Sequence, residues 1–224
     1  MPPSLPDLLS LSETASYPWP SFRPVPSAPS SKQNDTEQEE EMEEMDMYVG
    51  SQFFRRVQQN CFSPTARLAE MDTAGVDVQV LSTVPVLFCY DAPIRPAITL
   101  ARALNDHLAG VSAQYPDRFV WLGTIPLQDT AAAEAELRRI MELGAKGIQI
   151  GTSIDADTGL DEERLERIWE VCEELDCPVF VHPLGYALVR ENKARWGKYW
   201  GSWLVVSSLS LSLSLSIYLD DECN

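Results

Sequence analysis

From residue 64 onward the apolar positions alternate between a helical rhythm and short continuous runs. Pro64 to Thr73 sets Leu68 and Met71 on one helix face, and Gly75 supplies the stop. Val76 to Val84 (VDVQVLSTV) is rich in β-branched residues and predicts a strand. Residues 94–113 return to helical spacing through Ile98, Leu100, Leu104, Leu108 and Val111, and Phe119 to Ile125 forms a second strand ended by Pro126. Residues 130–143 carry Leu137, Ile140 and Met141 and predict a helix stopped by Gly144, after which Lys146 to Gly151 (KGIQIG) predicts a third strand. Residues 161–176 open on Asp161, Glu162 and Glu163, which suit the positive end of a helix dipole, and set Leu165, Ile168, Trp169, Cys172 and Leu175 on one face. Pro178 to Pro183 (PVFVHP) is a fourth, nearly unbroken apolar strand. Strands apolar on both faces and separated by helices belong to a parallel α/β sheet or barrel.

Charge changes the picture at the amino-terminal side. The 224 residues hold 34 acids against 17 bases, a net charge of −17. Residues 1–47 contribute ten of those acids against Arg23 and Lys32, and eight of the 16 prolines fall between Pro2 and Pro29. Proline removes backbone donors and the run from Glu37 to Glu44 repels itself, so residues 1–46 are expected to be disordered. An acidic docking arm for a basic partner is the alternative to a solvated tail. The overall acidity argues against nucleic acid, whose phosphates call for clustered Lys and Arg. No run of eighteen apolar residues exists and residues 1–30 lack a basic start followed by an apolar core, so the expectation is a cytosolic protein with no membrane partner. Five cysteines without a C-x-x-C spacing suggest neither a disulfide framework nor a zinc ribbon, and reduced thiols are expected. At the other end residues 207–216 alternate Ser and Leu strictly. A TC dinucleotide repeat read in triplets yields that alternation, so residues 206–224 are read as a translated simple repeat outside the fold.

Few residues could carry chemistry. His107 lies in a helical segment, where a surface or packing role is expected. His182 ends an apolar strand, and the carboxyl ends of barrel strands are where active sites lie. An imidazole there suits zinc, although on spacing alone a structural histidine remains open. Arg55 and Arg56, beside Phe53 and Phe54, could grip a carboxylate bidentately or could be exposed loop cations balancing an acidic chain. Trp196, Tyr199, Trp200 and Trp203 form an aromatic cluster that either walls a pocket or belongs to the core. No G-x-S-x-G, P-loop or G-x-G-x-x-G motif is present.

Several blocks in order carry a resemblance: Asn60-Cys61-Phe62 with Pro64, Glu70-Met71-Asp72, Gly75-Val76, Leu81 to Val86, Arg118-Phe119 with Leu122-Gly123-Thr124, Gly147 to Thr152, Val179 to Pro183, Lys198-Tyr199-Trp200 and Trp203-Leu204-Val205. Across residues 48–205 the chain resembles the aminocarboxymuconate semialdehyde decarboxylases, members of the metal-dependent amidohydrolase superfamily of (β/α) barrels. The resemblance implies a non-oxidative carboxy-lyase for a small carboxylate substrate of tryptophan (kynurenine) breakdown, with zinc as cofactor. It implies that His182 is a metal ligand, that Arg55 holds a substrate carboxylate and that Trp203 lines the pocket. It also implies departures. The family's His-x-His pair, its catalytic histidine and its aspartate ligand have no counterpart here, so no catalytic residue is assigned. The expected fold is a partial (β/α)8 TIM barrel over residues 47–205, about four of eight strands, from a chain incomplete at both ends. Such a chain is expected to be inactive alone. Expected partners are a second copy as a homodimer or a full-length family member. Two other functions stay open: a related decarboxylase or hydrolase on another unsaturated or aromatic acid, and a non-catalytic half-barrel interaction protein.

Overall fold

The computed structural model describes residues 17–25, 44–155 and 159–182. The chain divides into two compact units, residues 1–79 and 80–224.

The first unit holds a three-stranded antiparallel sheet of β1 (Pro20–Pro24), β2 (Glu44–Val49) and β3 (Gln52–Gln58), in that order. Gly50 makes the tight turn from β2 to β3 at φ 59°, a conformation glycine adopts without penalty. Strand β1 begins and ends on proline, which an edge strand tolerates because one side of it needs no donors. β1 and the start of β2 fall inside the segment expected to be disordered up to residue 46. Local composition misled there because the pairing is made at long range: Asp46 lies opposite Arg56 on β3, and the Arg56 fork binds it through Nε at 2.7 Å and Nη2 at 3.2 Å. Residues 1–16 and 26–43 of that segment and the Ser-Leu tail lie outside the described residues. After β3, helix α1 (Pro64–Ala74) is capped by the Ser63 hydroxyl, which accepts the Ala66 N–H at 3.3 Å, and stops at Gly75 in the left-handed region.

The second unit carries the alternation that the apolar pattern predicts. Strand β4 (Gln79–Leu81) is followed by α2 (Ile94–Gln114), β5 (Phe119–Trp121), α3 (Thr130–Glu142), β6 (Ile148–Gly151), α4 (Glu166–Glu174) and β7 (Val179–His182). Each strand bonds to the next in sequence. The Leu122 N–H donates to the Leu81 carbonyl at 2.9 Å, Gly123 bridges Ile148 in parallel, and β6 pairs with β7 in parallel from Ile148↔Val179 to Gly151↔His182. This is a partial (β/α) barrel of four strands. The strands are shorter than the apolar runs, because residues such as Ser82 and Thr83 have already left the ladder to form the loops beyond it.

Helices cover one face of this sheet. Phe119, Trp121, Ile148, Ile150 and Val181 are buried there, together with Leu137, Ile140, Ile168 and Val171 from the helices. The opposite face is more open: Val80 is 55% exposed and Phe180 51% exposed. Gly123 sits on the covered face because a Cβ would collide with Ile140 Cδ1. Beneath it lies a buried polar knot. The Asn105 amide donates to the Thr124 carbonyl at 2.8 Å and to Glu136 Oε1 at 2.7 Å, while its Oδ1 accepts the Thr124 N–H at 2.9 Å. Glu136 is further bound by Arg139 Nε at 2.8 Å and Nη2 at 2.6 Å, so its buried charge is paired. Asn105 thus ties α2 and α3 to Thr124, three residues beyond β5.

A second tie comes from the loop after β4. Phe88 and Tyr90 stack with ring centroids 5.5 Å apart, and the buried Tyr90 hydroxyl accepts the Gly151 N–H at 3.3 Å. Burial pushes the phenol pKa above its ordinary value.

Two outcomes follow from these ties. Asn105→Ala leaves the buried Thr124 N–H and carbonyl unpaired and strips a donor from Glu136, so it is expected to cost about 3 kcal/mol, read as a lower urea midpoint at unchanged slope. Tyr90 stabilises the fold while its phenol is protonated in both states. That contribution is present below the unfolded pKa near 10 and is lost as pH rises above it. Melting curves across that range should show a shallower alkaline decline for Tyr90→Phe than for the parent chain, and identical declines would refute the assignment.

Candidate active site

The elements of the second unit bring the carboxyl ends of β5, β6 and β7 to one edge, where a (β/α) barrel places its functional groups. Thr124 follows β5, Thr152 and Ser153 follow β6, and His182 ends β7; Thr83 follows β4. The four hydroxyl residues are buried. Thr83 Oγ1, Gln128 Oε1 and Gln149 Oε1 are buried without a hydrogen-bond partner, an arrangement that costs free energy wherever polar atoms leave water.

His182 is half-buried and lies in register with Gly151 on the neighbouring strand. Laterally paired residues share a face in a parallel sheet, so His182 and Phe180 project to the same side as Gln149. The Phe180 and His182 rings meet edge to face at 6.5 Å. Because Gly151 carries no side chain, the position beside the imidazole is left open by its lateral neighbour. The strand-end placement expected of His182 is therefore present.

The two arginines separate. Both lie in β3 rather than in a loop, which the sequence did not reveal because Phe53-Phe54-Arg55-Arg56 has no polar alternation. The Arg56 fork is occupied by Asp46, with Glu44 3.4 Å from its Nη1. The hydrogen bond between them holds the Asp46 carboxyl below its usual range and raises the guanidinium pKa. Arg55, opposite Met47, is exposed and makes no polar contact among the described residues. Of the two, Arg55 has its guanidinium available for an external carboxylate. It belongs to the first unit and His182 to the second.

Trp203 and the aromatic cluster around it lie outside the described residues. His107 is half-buried in α2, and burial draws its pKa down, as expected of a packing histidine. Gln149 and Tyr90 were not anticipated. Gln149 had a signal, since it is the one polar residue within the apolar run Ile148 to Ile150. Tyr90 had none, because its bond to Gly151 crosses 61 residues.

The zinc implied by the resemblance can be tested against the donors present. Among the described residues no three His, Cys, Asp or Glu side chains gather at one point. A protein site for such a cation takes at least three protein ligands, and His182 alone does not meet that need. The described residues do not fit a bound divalent metal. Among them, too, no helix is long and apolar enough to cross a membrane.

Comparison with known proteins accounts for the architecture. The chain is 45% identical over 160 residues to the 2-amino-3-carboxymuconate-6-semialdehyde decarboxylase of Dictyostelium discoideum, covering 71% of this chain and 43% of that one. It is 37% identical over 123 residues to a gamma-resorcylate decarboxylase of a Rhizobium species, covering 52% and 38%. Among solved structures, the 5-carboxyvanillate decarboxylase of Novosphingobium aromaticivorans, with bound manganese and 3-methoxy-4-hydroxy-5-nitrobenzoic acid, matches with a TM-score of 0.57 and 32% identity, covering 65% of this chain and 43% of that one. The chain thus spans about two fifths of the length of these relatives. The relatives are decarboxylases, and the metal bound in the solved structure is manganese rather than zinc. The amidohydrolase family model matches residues 17–203, from the first described strand through and beyond the four-strand barrel segment, and the chain belongs to the amidohydrolase family.

Proposed function

We propose that this chain is part of a non-oxidative carboxy-lyase whose substrate is an unsaturated amino-dicarboxylic acid of the 2-amino-3-carboxymuconate 6-semialdehyde type, formed in the cytosolic breakdown of tryptophan. The observation that carries the reading is the 45% identity over 160 residues to a decarboxylase of that substrate. Arg55 supports it, since its exposed guanidinium matches a substrate carboxylate and is not consumed by a partner among the described residues. In this reading His182 is one ligand of a divalent metal, whether zinc or manganese, and Trp203 walls the pocket.

Loss of carbon dioxide leaves an electron pair that must be stabilised as it forms, and Arg55 and His182 alone do not provide for it. We therefore assign the 224-residue chain no turnover by itself. Its chemistry depends on donors additional to the described ones, which a second copy or a full-length family member could supply.

A second reading, decarboxylation of an aromatic hydroxy acid, is favoured by the relatives that act on gamma-resorcylate and 5-carboxyvanillate. Binding separates the two. The chain should bind a muconate-type dicarboxylate in preference to a hydroxybenzoate. Arg55→Ala should weaken that binding at least about tenfold, the equivalent of one charge-assisted contact, while Arg56→Ala should leave it within about twofold. Tighter binding of the aromatic acid would move the assignment to the second reading. After dialysis against zinc or manganese, elemental analysis should find far less than one equivalent of metal per chain and no decarboxylation above the spontaneous rate. Metal-dependent turnover by the purified chain would overturn the claim of inactivity.

A further inference from the structure

Helix α4 ends in a turn with Asp176 in the left-handed region at φ 50°. Two bonds close it: the Cys177 N–H donates to the Cys172 carbonyl at 2.8 Å and the Asp176 N–H to the Glu173 carbonyl at 3.1 Å. The same double closure ends α1, through Val76 to Met71 and Gly75 to Asp72, and α3, through Ala145 to Ile140 and Gly144 to Met141. In this motif the two residues joined by the longer bond commonly bring their side chains into contact. At α1 that pair is Met71 with Val76 and at α3 it is Ile140 with Ala145. At α4 it is two thiols.

Cys172 and Cys177 are both buried and both reduced, and the backbone bond between them places the two residues on one turn. A disulfide usually spans a Cα separation of ~5.5–6 Å, and the 2.8 Å bond from the Cys177 N–H to the Cys172 carbonyl draws the two residues together. The two sulfurs are not equivalent. The Cys177 thiol donates to the Pro178 carbonyl at 3.7 Å, and its interaction with Cys172 draws its pKa below the ordinary thiol value, while that interaction and burial push Cys172 up. Small as the exposed part of each sulfur is, the turn itself lies at the surface: Glu173, Glu174, Asp176 and Pro178 are all exposed. Their three carboxylates ring the turn and disfavour anionic oxidants such as glutathione disulfide, whereas a small uncharged peroxide meets no such barrier.

We propose that Cys172 and Cys177 are a peroxide-sensitive dithiol pair that closes reversibly to a disulfide across the turn between α4 and β7. The Cys177 thiolate attacks one peroxide oxygen, the O–O bond breaks, and hydroxide leaves to take up a proton as water. The Cys177 sulfenic acid is then attacked by the Cys172 sulfur, the S–O bond breaks, and the hydroxyl leaves with the Cys172 proton as a second water. Two thiols and one hydrogen peroxide give one disulfide and two waters, and a dithiol reductant reverses the change. The bond closes a short ring immediately ahead of the strand that ends in His182, so oxidation stiffens the connection feeding the candidate site.

The test uses the full chain, treated with hydrogen peroxide, quenched in acid, denatured and alkylated. Cleavage at Glu173 and Glu174 separates the two cysteines, so a disulfide appears as two peptides joined to each other. The expected result is the Cys172–Cys177 link forming faster than Cys61, which is exposed, is oxidised. Dithiothreitol should restore both thiols, and Cys172→Ser should leave a Cys177 sulfenic acid that dimedone traps. The link should form at least about tenfold faster in the native chain than in urea, and faster with peroxide than with glutathione disulfide at equal concentration. Both thiols surviving while Cys61 is oxidised would overturn the proposal. Equal rates in native and unfolded chain would do the same, since they would mean a chance encounter of neighbours in sequence.

Discussion

Parallel strands cannot be joined by a tight turn, so each must be followed by a crossover long enough to return the chain to the same edge. Everything in the second unit answers to that constraint. It sets the alternation from β4 to β7, and it puts α2, α3 and α4 on one face of the sheet. It also brings the carboxyl ends of β5, β6 and β7 together, so that Thr124, Thr152 and His182 share one edge although 58 residues separate the first from the last. The cost is carried at the crossings, where helix and strand must approach closely. Gly123 under Ile140 is one such point, and the Asn105 amide on Thr124 is another.

Electrostatics follow from the same layering. The net charge of −17 suggests a repulsive surface, yet the outer helices are laced by arginines set among the acids. Arg167 reaches Glu134 at 2.9 Å across to α3, and Arg138 reaches Glu174 at 2.6 Å in return. These pairs are exposed and individually weak. Their value lies in letting two acidic helices lie side by side. The buried member, Glu136, differs in kind: it is held by Arg139 and Asn105 and would be costly to leave unpaired.

For function, the arrangement separates what the family fold supplies from what this chain supplies. The fold delivers a strand-end histidine beside a glycine, and the first unit delivers an arginine that no acid among the described residues has claimed. A metal needs several donors converging on one point. The described residues do not bring them together, so a family architecture and a working centre are here two different findings.

Helix α1 and the helices and strands of the second unit were legible in the sequence because each is a local property: apolar spacing and a Gly75 or Gly144 stop. The strand-end position of His182 was legible for the same reason, as the end of an apolar run before proline. The three-stranded sheet of the first unit was not. Proline and a glutamate run disfavour structure locally, and the bonds that overcome them, such as Arg56 to Asp46, join residues whose relation no window of sequence contains. The difference between Arg55 and Arg56 was likewise invisible until register set one opposite Asp46 and the other opposite Met47. The sequence by itself therefore determined helix α1, the helices and strands of the second unit, and the family the chain belongs to. Only the tertiary structure decided which arginine is engaged and which polar atoms are tied down, because those depend on distances between residues that the chain order does not set.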